Sequence, residues 1–409
     1  MLHTGFDATP ESVELACIRA GHAEYLAIHE QFNLPLLETG GLLVAWSEVE
    51  REKLPAIVDQ AHRNGVADVH LVDADEIRRR EPHLADGALG GVAIPGEHII
   101  DPWSAPLAYA LQGLAHGGAI LRNIEVNGGD FSGGRWRLAT NREIIEARIV
   151  INAAGNYGDL VEAIARPSPF RIKPRKGQFV VFDKPAARLI RASILPVPSE
   201  RTKGVMVCRT IFGNVLVGPT AEDQDDRADA GVDAVQLATL IEKGRRILPA
   251  LADETVTATY AGLRPATQFK DYQIEALPDR NWLTVGGIRS TGLTGALGIA
   301  QQVAGLYARH FGKLADNPAP ITTPVPNLAE HLPRPCQQPG YGDMVCHCEL
   351  VTRAEIEAAF AGPLPAGDLG GLKRRTRCMM GRCQGFYCSA RVAELAAGRL
   401  PELPVRSAA

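Results

Sequence analysis

Two spacings of apolar residues alternate along the first three quarters of the chain. Apolar positions recur at helical spacing in "ESVELACIRAGHAEYLAIHEQF" and "VDAVQLATLIEKGRRILPAL". The segments "GGLLVAW", "IVINAAG" and "GQFVVFD" are instead short apolar runs, which are typical of buried strands. "NWLTVGGIRSTGLTGALGIAQQVAGLYARHFG" predicts a strand, a glycine-rich turn and a long helix. We therefore expect one α/β region over residues 1–316.

The pattern changes after residue 316. Residues 317–340 are dense in proline and have no periodic apolar face, which predicts a semi-extended linker. Residues 341–400 then predict helices in "TRAEIEAAFA", around "DLGGLKRR" and at the end of "GRCQGFYCSARVAELAAG". This last segment has few large apolar residues, and domains of this size commonly use a metal to stabilise the fold.

The cysteines support a metal centre in that segment. Five of the eight cysteines lie within 43 residues, as a Cys-x-Cys pair, then Cys378, then a Cys-x4-Cys pair. Structural zinc sites favour two Cys-x2-Cys pairs and four-iron clusters a tight Cys-x2-Cys-x2-Cys run, and neither is present. Two thiolates from each pair would suit two sulfide-bridged irons, although Cys378 and Cys383 are also four residues apart. Basic residues that would stabilise an anionic cluster surround the second pair: Lys373, Arg374, Arg375, Arg377 and Arg382.

Composition narrows the class of protein. Of the 409 residues, 45% are hydrophobic and 22% are charged, as in ordinary globular proteins. The net charge of −4 gives no sign of a nucleic-acid partner, and no apolar run is long enough to span a membrane. The opening "MLHTGFDATP" lacks the basic region followed by an apolar region that is typical of a secretory signal peptide. We expect a cytoplasmic protein, with peripheral association with the inner face of the membrane as a variant.

The cysteine segment resembles a known module. "VCHCELVTRAEIEAA" and "GGLKRRTRCMMGRCQGFYC" resemble the C-terminal [2Fe–2S] domains, similar to bacterioferritin-associated ferredoxin, of anaerobic-type glycerol-3-phosphate dehydrogenases. The resemblance covers about residues 345–388. It implies that Cys346, Cys348, Cys383 and Cys388 are the cluster ligands and that Cys378 is not.

The rest of the chain resembles flavoproteins. "LHTGFDATPES", "PGEHIIDPW", "VINAAG", "PRKGQFVVFDK", "TYAGLRPAT" and "GGIRSTGLTGALGIAQ" occur in the order seen in the D-amino-acid-oxidase-like group. These motifs are most similar to those of FAD-dependent glycerol-3-phosphate dehydrogenases, and L-2-hydroxyglutarate oxidases are the next most similar group. The resemblance implies FAD, bound by Val126 near the adenine and by two turns: Ala153, Ala154 and Gly155, and Gly287, Ile288, Arg289, Ser290, Thr291, Gly292, Leu293 and Thr294.

The resemblance also implies a reaction. Oxidation of an alcohol beside an anionic group needs a hydride acceptor, a base for the hydroxyl proton and cations for the anion. His3 in "LHTG" is the candidate base, and Arg264 and Arg289 are the candidate cations, with Lys176 or Lys203 as a further one. Phosphate and carboxylate both suit arginine, so residue types leave glycerol 3-phosphate and a 2-hydroxy acid open.

One departure from the family pattern sets the expected fold. The family opens with a βαβ unit whose G-x-G-x-x-G turn binds the FAD pyrophosphate, and these 409 residues contain no such motif. We therefore expect an α/β FAD-dependent oxidoreductase fold, with an α+β substrate region, that lacks its first βαβ unit and carries a small helical [2Fe–2S] domain.

The sequence leaves one main hypothesis about function and two alternatives. The main hypothesis is a dehydrogenase that passes electrons through the cluster to a quinone or carrier, which could be a partner protein. One alternative is an L-2-hydroxyglutarate, amino-acid or opine oxidase. A non-catalytic fragment with only an iron–sulfur role is the other.

Overall fold

The computed structural model describes residues 1–198, 204–315, 317 and 319–400. The helices are α1 (Val13–Ile28), α2 (Glu48–Arg51), α3 (Leu54–Arg63), α4 (Ala74–Arg80), α5 (Ser104–Ala115), α6 (Gly158–Ala165), α7 (Ala234–Ile247), α8 (Gly292–His310), α9 (Arg353–Ala359), α10 (Leu369–Thr376) and α11 (Ser389–Ala396). The strands are β1 (Leu36–Leu37), β2 (Gly41–Ala45), β3 (His70–Val72), β4 (Gly90–Ile94), β5 (Ile99–Ile100), β6 (Val126–Ser132), β7 (Arg135–Thr140), β8 (Ile144–Ala147), β9 (Val150–Asn152), β10 (Arg175–Phe182), β11 (Ser193–Pro196), β12 (Met206–Arg209), β13 (Val215–Gly218), β14 (Glu222–Asp223), β15 (Val256–Arg264), β16 (Gln273–Leu277), β17 (Trp282–Gly286), β18 (Met344–Cys346) and β19 (Val351–Thr352).

A large mixed sheet forms the centre of the first region. Its order is β14-β10-β13-β12-β11-β2-β4-β3, with β15 also paired with β10. Every residue of β2 and β4 is buried, because apolar clusters cover both faces of the sheet there. The long β10–β15 pair runs antiparallel from Arg175 opposite Arg264 to Phe182 opposite Val256.

A smaller sheet positions two predicted cofactor turns. It has the order β16-β17-β9, and β9 is parallel to β17. The fully buried Glu162 of α6 accepts hydrogen bonds from Trp282, Thr284 and Asn152, so α6 is tied to both parallel strands. Within the described residues, β9 pairs with no other strand. The turns after β9 and β17 leave the sheet at the same edge, where ligands bind in open α/β sheets.

Helices α1 and α8 cross at very short range. A Cβ atom at Gly21 would lie 2.0 Å from the carbonyl oxygen of Thr294, and one at Gly298 would lie 2.1 Å from that of Cys17. Only glycine permits this approach, because a real Cβ is essentially never that close to a backbone atom. The crossing therefore fixes the N-terminal end of α8 beside the first residues of the chain.

The C-terminal segment is small and packed. The β18–β19 hairpin and the three short helices α9, α10 and α11 surround a core that includes Val345, Val351, Ile356, Leu372 and Val392. Helix α9 begins with a reciprocal capping box between Thr352 and Glu355. This mixed α/β fold with a small C-terminal domain confirms the predicted fold class.

The proline-rich stretch before this segment contains, where it is described, one 3-10 turn at Pro335–Gln337 and no helix or strand. It packs against the first region, since Leu328 and Ala329 are buried beside Ile99, Ile211 and Phe212. Among the described helices, none has the length and apolarity needed to cross a bilayer.

Candidate active site and thiol cluster

The glycine-rich turn after β17 is the centre of the candidate active site. The structure places Gly287, Ile288, Arg289, Ser290, Thr291, Gly292, Leu293 and Thr294 along this turn and the first turn of α8. Gly287 has φ of +70°, a conformation that other residues rarely adopt. The Thr291 hydroxyl donates to Glu14 (2.6 Å) and lies 2.6 Å from the Tyr272 hydroxyl, which holds the turn against α1 and β16.

His3 lies at the helical end of this turn. Its backbone N–H donates to Oγ1 of Thr294 at 3.0 Å, although the two residues are 291 positions apart. Its ring Nδ1 is 2.9 Å from Oε2 of Glu97, and the His3 side chain is 28% exposed whereas that of Glu97 is fully buried. Thr4 donates to the same carboxylate through its backbone N–H and its hydroxyl, at 2.7 and 3.0 Å.

Glu97 is a polar residue of this site to which the sequence analysis assigned no role. Burial alone raises the pKa of Glu97, but the His3 ring and the bonds from His3 and Thr4 outweigh it and hold the pKa below its usual value. This shift favours the ionised form of the carboxylate. The sequence signal for Glu97 is its position in the motif "PGEHIIDPW". In the structure Glu97 directly precedes His98, which forms an isolated bridge with Leu2.

Arg264 is the last residue of β15, three residues before Thr267. A Cβ built at Gly287 would lie 3.4 Å from Thr267, so the chain that follows Arg264 runs beside the turn. Burial, and then the nearby Arg175, lower the pKa of Arg264. The one side-chain hydrogen bond of Arg264 among the described residues is a long one, 3.4 Å, to the carbonyl of Thr220, and no described carboxylate is within ion-pair distance.

The sheet beneath Arg264 has little side-chain cover. Gly177 of β10 lies directly opposite Gly262 of β15, and the Arg264 guanidinium folds over Gly177. A Cβ at Gly262 would meet no atom within 4 Å, so the space above it is open. Phe179 and Tyr260 stack further along this strand pair, with ring centroids 4.9 Å apart. This face of the strand pair therefore has a cation at one end and an aromatic pair at the other, with the two glycines between them.

The other candidate cations are engaged differently. The guanidinium of Arg289 donates to the carbonyl oxygens of Phe269 (2.6 Å) and Lys270 (2.5 Å), so it braces the neighbouring loop. Lys176 lies 3.7 Å from a carboxylate oxygen of Asp229. Lys203 is outside the described residues. Substrate contact by Arg289 stays a prediction.

The second predicted cofactor turn follows β9. Ala153, Ala154 and Gly155 are exposed there, and Gly155 has φ of +58° with open space beside it. Arg227 clamps the next residues, since it donates to the carbonyl of Asn156 and to both carboxylate oxygens of Asp159.

Val126 begins β6 of a separate three-stranded sheet. It packs near α6 through a cluster that includes Trp136 and Trp282. Contact of Val126 or of the Ala153–Gly155 turn with FAD stays a prediction. The open space beside Gly155 and the positive φ of Gly287 fit a backbone that approaches a planar ring and its anionic edge, whereas the chain has no G-x-G-x-x-G turn for a pyrophosphate.

The four predicted cluster ligands meet in two pairs. The Cys348 and Cys383 thiols contact each other, and so do those of Cys346 and Cys388. Backbone N–H groups, first that of Tyr387 and also those of Gly385 and Phe386, lower the pKa of Cys383. Such N–H donors stabilise a thiolate, which is the form that binds iron. In the described residues, no three His, Cys, Asp or Glu side chains converge on one point, so the thiol contacts are pairwise.

Cys378 belongs to neither pair. Its side chain is fully buried in the small core, and burial raises its pKa to about 11. The choice of Cys388 over Cys378 as a ligand stays a prediction.

The thiol cluster lies against the first region. The Arg377 guanidinium, beside Cys378, lies 4.1 Å from the ring centroid of Phe212 and 5.8 Å from that of Trp103. It also forms an ion pair with the buried Glu349 at 3.1 Å. Phe212 and Trp103 pack in the same apolar cluster as Met1, which lies two residues before the candidate base. The contact therefore connects the two candidate centres.

Comparison with known proteins matches two families to successive parts of the chain. A family profile described as FAD dependent oxidoreductase matches residues 1–306, and one described as BFD-like [2Fe-2S] binding domain matches residues 344–397. A glycerol 3-phosphate dehydrogenase of Caloramator mitchellensis is 29% identical over 98% of this chain and 85% of its own. A chain of the anaerobic glycerol-3-phosphate dehydrogenase of Escherichia coli K12 is 25% identical over 87% of this chain and 73% of its own.

A solved structure shares the fold of the first region. The dithionite-reduced L-alpha-glycerophosphate oxidase of Mycoplasma pneumoniae with FAD bound superposes with a TM-score of 0.71 and 27% identity, over 78% of this chain and 85% of that one. The flavoprotein and iron–sulfur resemblances read from the motifs are confirmed.

Proposed function

Because the chain belongs to the FAD dependent oxidoreductase family, we propose that it oxidises glycerol 3-phosphate to dihydroxyacetone phosphate and passes the electrons through a [2Fe–2S] cluster. The relatives named above support the substrate, since they carry the names of glycerol 3-phosphate dehydrogenases and an oxidase. The observation that carries the proposal is Arg264, a largely buried guanidinium that no described carboxylate neutralises. Such a cation is a receptor for an anionic group, and its planar donors suit a phosphate.

The proposed chemistry assigns separate roles to Arg264 and to His3. Arg264 holds the phosphate, and the open face above Gly262 leaves room for the glycerol carbons. His3 accepts the hydroxyl proton at Nε2, because its Nδ1 is occupied by Glu97. Bound FAD would supply the two-electron acceptor that oxidation of the hydroxyl-bearing carbon requires. The turn from Gly287 to Thr294 would hold the flavin ring.

The cluster would then carry single electrons away. Cys346, Cys348, Cys383 and Cys388 would hold it, and a [2Fe–2S] centre supplies one-electron transfer. We propose that the acceptor is a quinone or an electron carrier, which includes a carrier in a partner protein. We place the protein in the cytoplasm, with peripheral association with the inner face of the membrane as the alternative.

The proposal is tested by a substrate panel. The full chain, reconstituted without oxygen with FAD, iron and sulfide, is assayed with a dye acceptor on glycerol 3-phosphate, glycerol, L-2-hydroxyglutarate and an amino acid. We expect kcat/KM for glycerol 3-phosphate to exceed that for glycerol at least about 100-fold, because each charge-assisted bond to the phosphate contributes about 1.5–3 kcal/mol.

The matched variant is Arg264→Met. It should remove this preference for phosphate and leave turnover of glycerol unchanged. A preference for L-2-hydroxyglutarate or for an amino acid would replace the proposed substrate, and no turnover of any donor would overturn the enzymatic function.

A further inference from the structure

Glu97 is a fully buried carboxylate that enters the proposed chemistry only as the group beside Nδ1 of His3. It takes part in three hydrogen bonds: one with Nδ1 of His3 (2.9 Å), and two that it accepts from the backbone N–H of Thr4 (2.7 Å) and from the Thr4 hydroxyl (3.0 Å). Its position is fixed from two sides, because it sits beside the bridge that joins Leu2 to His98. The carboxylate therefore cannot rotate away from the ring of His3 without breaking all three bonds.

A carboxylate in this position determines which ring nitrogen of His3 carries the proton. An ionised carboxylate can only accept, so the nitrogen that faces it must donate. Nδ1 is then protonated in the neutral ring, and Nε2 has the free lone pair. In a neutral imidazole only that nitrogen can take a proton from a substrate hydroxyl. Because the carboxylate is shielded from water, its preference for this tautomer is stronger than it would be at the surface.

The backbone of His3 is fixed as well. Its N–H donates to Thr294 Oγ1, and that hydroxyl donates in turn to the carbonyl of Met1 at 3.1 Å. These bonds join the histidine to the first turn of α8, and so to the turn expected to hold the flavin ring. Glu97 orients the ring, while Thr294 orients the backbone.

We propose that Glu97 is a positioning residue that holds His3 in the Nδ1–H tautomer, with Nε2 directed at the substrate hydroxyl. This inference rests on the proposed role of His3 as the base. A purely structural Glu97 would serve Thr4 and the chain start, and would not determine the tautomer of His3. The two possibilities are separable because one readout needs no turnover.

The first measurement is the tautomer itself. Long-range proton–nitrogen spectra of the full chain, labelled with nitrogen-15 histidine, are recorded for the wild type and for Glu97→Gln, and His3 is assigned by loss of its signals in His3→Gln. We expect one Nδ1–H tautomer in the wild type. In Glu97→Gln both tautomers should appear, because an amide can offer either its oxygen or its nitrogen to the ring. The same single tautomer in both proteins would overturn the proposal.

The second measurement is turnover of glycerol 3-phosphate. A misplaced base lowers the rate of proton transfer and not substrate affinity, so Glu97→Gln should lower kcat about 100-fold or more and change KM less than about threefold. Glu97→Asp, which keeps the charge on a shorter stem, should recover part of the loss. If Glu97→Gln does not fold, the aspartate variant carries the test, and a wild-type kcat with mixed tautomers there would contradict the proposal.

Glu81→Gln is the matched control. Glu81 is also a buried carboxylate, but it accepts the backbone N–H groups of Arg191 and Ala192. Its substitution removes the same charge and should change kcat less than about twofold. Equal losses of kcat in Glu97→Gln and Glu81→Gln would refute the positioning role. A single Nδ1–H tautomer lost in Glu97→Gln, in a chain that does not oxidise glycerol 3-phosphate, would instead refute the proposed function alone.

Discussion

Arg377 gives the sharpest test of how the cysteine segment is attached to the flavin region. Its guanidinium is buried between the Phe212 ring and the carboxylate of Glu349, which is 2% exposed. We consider the substitution Arg377→Met. Methionine keeps an unbranched apolar stem. At φ of +69° it has the same unfavourable backbone free energy as the arginine that it replaces. The change therefore removes mainly the charge and the stacking.

The expected magnitude follows from the partners that remain. Removing one member of a buried ion pair costs about 3–5 kcal/mol, because the other charge stays buried. Lys184 lies 3.5 Å from Glu349 and partly replaces the lost cation, which lowers that cost to about 2 kcal/mol. Loss of the cation–π contact adds about 1 kcal/mol. Arg377 and Glu349 belong to the same segment, but Glu349 is buried where that segment meets Lys184 of the first region, so both costs fall on the docked state. We expect that state to lose about 3 kcal/mol, which raises the undocked fraction about 100-fold.

Hydrogen–deuterium exchange measures this fraction on both sides of the contact. Amides of residues 211–214 and of residues 369–376 should exchange about 100-fold faster in Arg377→Met if the segment undocks as a unit. The matched control is Arg382→Met. Arg382 also pairs across the contact, with Asp183 at 3.0 Å, but its side chain is 66% exposed, so its loss should cost less than about 1 kcal/mol. Equal, small changes in exchange for the two variants would refute the view that Arg377 holds the contact.

Three further predictions concern the sites themselves. Arg264→Met should leave the thermal midpoint unchanged or raise it, because it removes a buried cation that no described carboxylate balances; a lower midpoint would point to a structural role. Cys378→Ser should keep the broad visible absorption of a [2Fe–2S] cluster, whereas Cys388→Ser should abolish it. The reverse result would make Cys378 the ligand in place of Cys388. Finally, burial raises the pKa of Asp159, but the bonds from Arg227 outweigh it and lower that pKa overall. The ionised Asp159 therefore stabilises the fold at pH values above its unfolded pKa of about 3.9. This stabilisation is lost as the pH falls through the folded pKa. The thermal midpoint of the wild type should exceed that of Arg227→Met by a constant margin between pH 7 and 5 and by a smaller one below about pH 4; a margin that grows on acidification would contradict the assignment.

Local patterns were enough to predict much of the fold. Helices α1, α7 and α8 and strands β2, β10 and β17 lie where the apolar spacing placed them, because each presents a long apolar face or run to a core. The order of motifs also located the turn from Gly287 to Thr294, since a strand, a glycine pair and a helix form a local unit.

Contacts between distant segments were beyond such reasoning. The sequence indicates that Arg377 is one basic residue among several near the thiols, but its partner Phe212 comes from a strand connection 165 positions earlier. Glu97 meets His3 only because an isolated bridge brings residues 2 and 98 together. The proline-rich stretch has no periodic pattern, and yet it packs through Leu328 and Ala329, single apolar residues that carry no periodic signal.

The central claim is that electrons from glycerol 3-phosphate reach the cysteine segment. The most direct test adds glycerol 3-phosphate, without oxygen or any other reductant, to the reconstituted full chain while absorption and electron paramagnetic resonance spectra are recorded. We predict that the flavin bands bleach and that the signal of a reduced [2Fe–2S] cluster appears in the same sample. Flavin bleaching with a cluster that stays oxidised would contradict electron transfer between the two centres. Spectra unchanged by the substrate would contradict the proposed reaction.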